Sequence, residues 1–477
     1  VQVLFVADIK NFALGGFEPL GLEYLSACLK KAGHTPHICD LDLTNAVATV
    51  KEHGIKLVAY SVVTGAHQRF ADFNRRLKRI APLTSIFGGP HPTFVPSVLE
   101  DEPGLDLICV GEGERALVEL CDRLDQGCGL EGIPNLRRKK DGEIVAGPVE
   151  PGQRSLDDLP FPDRALLYDK FPHLARTPMK TVLAGRGCTF KCSYCFHRDF
   201  MAKHGLRNKV RMRRVDLLVQ ELAGLRDNYP VQFFRFVDAS LGFSKKWLRE
   251  FAPAYAQGVG VPFSCALNPL QADDEVMSLL KRAGCHSVNW SVETGDEGLR
   301  RSVLNRPVPD DKIYEMGRLL AKHGLVSWVQ NMVGLPGGSL AADFKTLDMN
   351  IALKPAFSTV SFLTPYPGTP IHDMAQEMGL FDGDLSGLDQ AYFHGSVLKV
   401  DHRKELANLG KLFALCVEFP RLRPMLPGLI RLPLGPLYEV LRKGWKGWCM
   451  VNRVMPNRPT AGDFARTAWR LLSGTAG

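Results

Sequence analysis

The sequence predicts an α/β chain: a doubly wound, Rossmann-like sheet at the front, a partial barrel of six βα units behind it, and a helical region at the end. Three observations carry this. Short apolar strands alternate with helical stretches from Val1 to about residue 130, a polar and proline-rich stretch interrupts them, and the alternation resumes at Thr181 for six more strands. The boundaries this gives are 1–130, 131–178 (a linker), 179–379 and 380–477. A length of 477 residues suits two or three domains at about 100–200 residues each. The 45% apolar content supports large cores, and no run of about 18 uninterrupted apolar residues announces a spanning helix.

In the front domain the strands are read at Val1–Val6, Pro36–Cys39, Lys56–Ser61, Ser85–Phe87 and Leu105–Val110, with Leu22, Leu25 and Leu29 on one face of the first helix. Alternating strands and helices favour a mostly parallel sheet, whose ligands sit beyond the carboxyl ends of its strands. At those ends stand Asp8 to Phe17, Val63-Thr64-Gly65, Gly88-Gly89-Pro90-His91-Pro92 and Gly111-Glu112-Gly113-Glu114. Glycines there let backbone approach a large ligand closely. An adenosine- or flavin-type ligand is the generic occupant of such a sheet.

The linker reads as a hairpin turn at Arg137-Arg138-Lys139-Lys140-Asp141-Gly142 and an extended crossing at Leu156–Pro162, and its basic tetrad reads as solvated. Beyond it, strands are expected at Thr181–Ala184, Phe233–Val237, Pro262–Leu267, Ser287–Val292, Val326–Val333 and Phe357–Phe362. Helices are expected at Val215–Asp227 and, shorter, at about Lys245–Ala252. Six units are too few to close an eight-stranded barrel, and their sites should gather at the strand C-termini.

Directly after the first of these strands runs Gly187-Cys188-Thr189-Phe190-Lys191-Cys192-Ser193-Tyr194-Cys195, three cysteines at C-x₃-C-x₂-C spacing. Three thiolates on one tight loop can hold three irons of a cubane cluster and leave the fourth open for chemistry. A structural zinc site uses four ligands, usually as two separated pairs, and no second pair of suitable spacing exists. A disulfide framework belongs to oxidising compartments and small folds, whereas this long chain shows no secretory signal and reads as a reduced, cytoplasmic protein. The other nine cysteines are scattered, and most of them read as buried apolar residues, with Cys265 and Cys285 placed where the fold can bring them together.

The cysteine loop resembles that of the radical S-adenosylmethionine (SAM) enzymes. The front domain, through Glu18-Pro19-Leu20-Gly21-Leu22, Gly88-Gly89-Pro90-His91 and Gly111-Glu112-Gly113-Glu114, resembles the cobalamin-binding domain fused ahead of one large class of them, which includes methyltransferases and anaerobic magnesium-protoporphyrin cyclase-like proteins. The resemblance implies a 4Fe–4S cluster on Cys188, Cys192 and Cys195, with SAM on the open iron. It places Tyr194 near the adenine, Asp238 and Ser240 at the edge that meets the SAM amino group, and Ser291 and Glu293 near the ribose and amino acid moiety. Gly334 would contact SAM by backbone, and Tyr366, in the stretch lining the substrate cavity, is the candidate catalytic residue. Thr64, Gly65, Gly88, Gly89, Pro90, His91, Gly111, Glu112, Gly113 and Glu114 would hold cobalamin.

Two departures stand out. The Asp-x-His-x-x-Gly motif is absent, its nearest analogue being Asp40–Asn45, so no lower cobalt ligand is expected from it; His67 and His91 are neighbours read as hydrogen-bonding residues. An arginine that ends the third strand in many relatives is replaced by Asn268, which leaves Arg300 or Arg301 to meet the SAM carboxylate.

The reaction implied is functionalisation of an unactivated carbon, foremost C-methylation from methylcobalamin. Cyclisation or rearrangement, 3-amino-3-carboxypropyl transfer, and a non-catalytic cobalamin carrier or sensor are the alternatives. A small-molecule substrate and an external electron donor of the flavodoxin or ferredoxin type follow as partners. Residues 421–477 hold ten Lys/Arg against Glu439 and Asp463, and three of the six tryptophans, Trp445, Trp448 and Trp469. That mixture suits a lid with a solvated basic face, an anionic substrate or a membrane surface, and no nucleic-acid motif accompanies it.

Overall fold

A computed structural model describes residues 1–9, 18–206, 209–388, 393 and 395–456. Most of the Asp8-to-Phe17 loop and Trp469 lie outside the described residues. The described chain forms two compact units: Val1–Thr181 with Asp199–Arg211, and Val182–Arg198 with the chain from Met212 to Pro456.

The first unit is built on a seven-stranded sheet in the order β2-β1-β3-β4-β5-β6-β7. Its strands are β1 (Gln2–Ala7), β2 (Thr35–Asp40), β3 (Leu57–Ser61), β4 (Thr84–Gly88), β5 (Leu107–Cys109), β6 (Leu136–Lys140) and β7 (Glu143–Ala146). The first five are parallel, with Val3 opposite both Pro36 and Leu57. Val3 through Ala7 are buried on both faces of the sheet, which is why β1 reads as a continuous apolar run. The strand order changes direction between β1 and β3, the switch point at which such sheets open a crevice.

The stretch read as a linker differs from expectation. Its hairpin, turning at Asp141 and Gly142 with φ of 51° and 84°, adds β6 antiparallel to β5 and β7 antiparallel to β6. The basic tetrad is what makes this edge workable: Arg138 and Lys140 pair with Glu131, and Lys139 donates to the Glu102 carbonyl at 2.7 Å.

The rest of the stretch is tied in by charge. Helix α1 (Leu20–Lys31) begins beside Glu18, whose carboxylate takes the Arg164 guanidinium at 2.7 Å, the Tyr168 hydroxyl at 2.6 Å and the Thr181 N–H at 3.2 Å. Glu23, fully buried on α1, stands 2.9 Å from the same Arg164. Burial lowers the nearby Lys180 ammonium to about 8 against the pull of Glu18 and Glu23. Two carboxylates and two cations balance, and that balance makes burying four charges tolerable.

The second unit carries a six-stranded sheet in sequential order: β8 (Met179–Val182), β9 (Phe233–Phe236), β10 (Phe263–Ala266), β11 (Cys285–Glu293), β12 (Val326–Val333) and β13 (Phe357–Phe362). Neighbours from β9 to β13 pair in parallel. The α/β partial barrel expected from six units is therefore present. Outward residues Phe234, Phe236, Phe263, Cys265, Val288, Trp290 and Val292 form one core with α2 (Val215–Asn228), α3 (Lys245–Gly258) and α4 (Asp274–Ala283).

Helix α3 runs past the expected end at Ala252 because Pro253 does not stop it. Trp247, Leu248, Phe251, Ala252 and Tyr255 are all buried on its inner face, and that packing outweighs the one backbone bond proline removes. Helices α5 (Arg403–Glu418) and α6 (Gly435–Cys449) complete the unit, and the following turn ties in through Ser287 Oγ to the Val454 carbonyl at 2.6 Å.

Candidate active site

The cysteine loop sits at the carboxyl end of β8 and is clamped by the segment after the helix Glu297–Ser302. Ser193 donates its N–H to the Leu304 carbonyl at 3.0 Å and its hydroxyl to that of Val303 at 2.5 Å; Asn305 donates to the Lys191 carbonyl at 2.7 Å. These bonds present the loop towards the end of β11. There Tyr194 donates its hydroxyl to Glu293 Oε1 at 2.7 Å.

Arg306 completes the arrangement. Its guanidinium is buried, stands 3.9 Å from Cys192 Sγ and donates to the Ser291 carbonyl at 3.1 Å. Burial alone would lower its pKa; Tyr194, Glu293 and Cys192 reverse this and hold it above its ordinary value. A guanidinium there can offset the negative charge of a metal-bound thiolate at Cys192. Sequence reasoning pointed instead at Arg300 and Arg301. Arg300 is fully buried but spent on the Thr294 and Val308 carbonyls and Asp310, and Arg301 lies at the surface with Glu297. Asn268 is likewise structural: its side chain caps the turn Pro269–Gln271.

Glu293 adopts a left-handed backbone, φ 65°, where β11 slips register against β12 between Ser291 and Glu293. For a non-glycine residue that conformation costs about 1–3 kcal/mol and collects at functional sites. The slip aims the carboxylate at the cysteine loop.

Three cysteine thiols on one loop are the donor chemistry of a cluster with one open iron. Among the described residues no three His, Cys, Asp or Glu side chains converge on one point as a zinc ion requires. Thiolates serving three separate irons need no such convergence. Burial pushes the Cys195 thiol up to about 12 and raises that of Cys188, so the protein without metal would leave these thiols protonated. Cys265 and Cys285 do meet, Sγ to Sγ at 3.9 Å on adjacent strands.

The other expected residues follow the carboxyl ends of β9, β12 and β13. Asp238, at the end of β9, accepts the N–H groups of Ala184 (3.1 Å) and Gly185 (2.6 Å) just before the loop, and burial pushes its carboxyl up to about 7. Ser240 is hydrogen-bonded to Gln271. Gly334, φ 72°, donates its N–H to Asp343 at 3.3 Å, whose carboxyl burial likewise raises to about 7. Tyr366 packs against the same apolar cluster as Tyr194, which includes Leu304, Met332 and Leu363.

In the first unit, the expected residues stand at the carboxyl ends of β3, β4 and β5. His91 is buried and hydrogen-bonded through Nδ1 to the Thr64 hydroxyl at 3.0 Å, and His67 stacks on it at 4.2 Å. Burial drives His91 down to about 3, so its imidazole is neutral. Gly89, beside Gly88 and ahead of Pro90, has φ 94°, and a Cβ there would lie 2.9 Å from the Val62 carbonyl oxygen. At Gly111, φ 95°, it would fall 2.2 Å from the His204 ring. Both turns favour glycine, and the close approach each allows is taken up within the chain, by the Val62 backbone at Gly89 and by the His204 ring at Gly111.

Glu112 differs from its neighbours. Arg211 holds its carboxylate with both guanidinium nitrogens, at 2.7 and 3.0 Å, and Gln153 N–H adds a bond at 2.6 Å, so the side chain fastens the fold. Gly113 precedes the helix that Glu114 begins. Where the Asp-x-His-x-x-Gly motif is missing, Asp40 accepts the Ile9 N–H and Asp42 caps a helix.

Comparison with known proteins assigns each unit to a family. A family model for the B12 binding domain matches residues 13–121, and one for the radical SAM superfamily matches residues 182–346. An uncharacterized methyltransferase of Pyrococcus horikoshii is 26% identical over 366 residues, covering 75% of this chain and 78% of that protein. The anaerobic magnesium-protoporphyrin IX monomethyl ester cyclase of Rubrivivax gelatinosus is 27% identical over 408 residues, covering 80% and 70%. Among solved structures, the radical SAM methyltransferase TsrM of Kitasatospora setae, with cobalamin and a [4Fe–4S] cluster bound, superposes with a TM-score of 0.66 at 18% identity, covering 90% of this chain and 99% of that one.

Proposed function

We propose that this chain, which belongs to the radical SAM enzymes carrying a B12-binding domain, is a C-methyltransferase acting on an unactivated carbon of a small molecule. The observation that carries the site assignment is Arg306 beside Cys192 and the Ser291 carbonyl, with the hydrogen-bonded pair Tyr194 and Glu293 acting on its charge.

When bound, the cluster and SAM supply hydrogen-abstracting radical chemistry and cobalamin supplies the methyl donor. The protein's residues place these partners and exclude water. Cys188, Cys192 and Cys195 are the iron ligands, and Arg306 offsets the charge of the buried Cys192 thiolate. Glu293 and Ser291 bind the ribose and amino acid moiety of SAM, Tyr194 covers the adenine, and the Gly334 backbone closes the site. Asp238 and Ser240 shape the edge facing the SAM amino group, Asp238 by pinning the backbone ahead of the cysteine loop. Tyr366 lines the substrate side. In the front unit the backbone at Gly65, Gly88, Gly89 and Gly111, with Thr64 and His91, holds the corrin. An external one-electron donor of flavodoxin or ferredoxin type reduces the cluster.

The test is anaerobic incubation of the loaded enzyme with SAM bearing a deuterated methyl group and extracts of cells lacking the protein. A C-methyltransferase forms 5′-deoxyadenosine, S-adenosylhomocysteine and a product carrying the labelled methyl. Loss of hydrogens without label would replace methylation by cyclisation, the activity in the name of the Rubrivivax relative. An unlabelled aminocarboxypropyl product, with the deuterated methyl left on 5′-methylthioadenosine, would mean that a different bond of SAM breaks.

A further inference from the structure

Helix α6 wears its apolar stripe on the outside. At 3.6 residues per turn, Leu437, Val440, Leu441, Gly444 and Trp448 share one face. The four large side chains among them are between 45 and 68% exposed, while Tyr438 and Cys449 on the opposite side are buried. That outward face holds no charged residue. Glu439, Arg442 and Lys443 lie off it and pair with one another. The segment leading into the helix adds Phe419, Met425, Leu432 and Leu434, so eight of the fourteen large apolar side chains exposed among the described residues fall between 419 and 448. A concentration of that kind marks a contact surface.

Charge narrows what can cover it. Between residues 420 and 456 seven Lys/Arg stand against Glu439 alone. Arg421 and Arg431 are exposed within the same segment. A second copy of this chain would bring like charge against like. An anionic bilayer offers both what the stripe lacks and what the cations seek. The helix has 15 residues, about 22 Å at 1.5 Å each, short of a hydrocarbon core of about 30 Å. Among the described residues no helix is long and apolar enough to cross a membrane. We propose that α6 docks in the plane of an anionic lipid surface, with Leu437, Val440, Leu441 and Trp448 entering the interface and Arg421 and Arg431 meeting lipid phosphates.

The inference is independent of the reaction the enzyme performs. Sedimentation of the full-length, cofactor-loaded protein with vesicles tests it, using phosphatidylcholine alone and phosphatidylcholine mixed with phosphatidylglycerol. The protein should sediment with the mixed vesicles, stay in solution with the neutral ones, and dissociate as salt is raised. Val440→Asp with Leu441→Asp should weaken binding about tenfold or more. Arg421→Gln and Arg431→Gln should each weaken it roughly fivefold. All should leave SAM cleavage unchanged. The arginine variants, at exposed sites, serve as a second arm should the aspartates disturb folding. Failure to bind mixed vesicles, or equal binding to both kinds, would overturn the proposal. So would a solution dimer that Leu441→Asp splits without any vesicle binding, which would give the face to a second copy.

Discussion

The carboxyl ends of the two parallel sheets are built from opposite materials. In the first unit the end turns on glycines at 89 and 111 in left-handed conformation, packed against the Val62 backbone and the His204 ring, with the His91 side chain kept neutral and tied to Thr64. In the second it is crowded with buried charge, where Asp238, Glu293 and Arg306 are each under a tenth exposed. A cofactor that brings its own reactive metal and a large apolar ring needs room and shape. A site that must hold a cluster, a sulfonium cosubstrate and a radical needs fixed charges that do not reorganise. The same βα logic produces both, and only the residues after the strands differ.

If the division is real, damage at one end should spare the other. The largest effect is expected from Cys192→Ala, which should reduce SAM cleavage to the background of the metal-free protein while cobalamin remains bound. Cleavage assayed by 5′-deoxyadenosine release and corrinoid read by absorbance would decide it; undiminished cleavage would break the ligand assignment. Arg306→Leu comes next, with a loss of about 10–100-fold in cluster content or SAM cleavage. Arg306→Lys should recover part of it, and iron analysis beside the activity assay separates the two readouts.

Gly89→Val reverses the comparison. It forces a Cβ against the Val62 backbone in a left-handed turn, so it should cost about 2–4 kcal/mol by thermal unfolding and abolish corrinoid binding, with SAM cleavage retained. Cleavage that falls in parallel with corrinoid would show the two ends to be coupled.

The smallest effect concerns Asp343. Its folded carboxyl titrates at about 7 against 3.8 ordinarily, so between those values the folded state holds a proton that the unfolded state has released. Stability from this group is therefore highest in acid and declines as pH rises towards 7. Asp343→Asn removes that slope, and its melting temperature should gain on the wild type by a few degrees between pH 5 and 7. A constant offset across that range would contradict the assignment.

Much of this was legible in the residues. The C-x₃-C-x₂-C spacing, six apolar strands after residue 178 and glycine-rich strand ends are local patterns, and local patterns survive folding. Arg306 was not legible, because its role depends on the chain returning thirteen residues after Glu293 to lie beside Cys192. The same holds for Glu112: a motif glutamate looks functional until Arg211, ninety-nine residues on, takes its carboxylate. The hairpin at 137–146 read as a turn in a linker, since a basic strand at a sheet edge has no apolar alternation to announce it. Helix α3 runs past its expected end at Ala252, through Pro253, for a different reason. Proline's cost is local and visible, whereas the core that repays it is assembled from β9, β10 and α3 together.

The central claim is that three thiolates of the second unit hold a cubane with one iron left for SAM. Mössbauer spectroscopy of the ⁵⁷Fe-reconstituted, anaerobic protein tests it most directly. One four-iron cluster per chain, with a single iron whose signal moves when SAM is added, is the predicted result. Iron-free protein after reconstitution, or a spectrum in which SAM changes no iron, would contradict it.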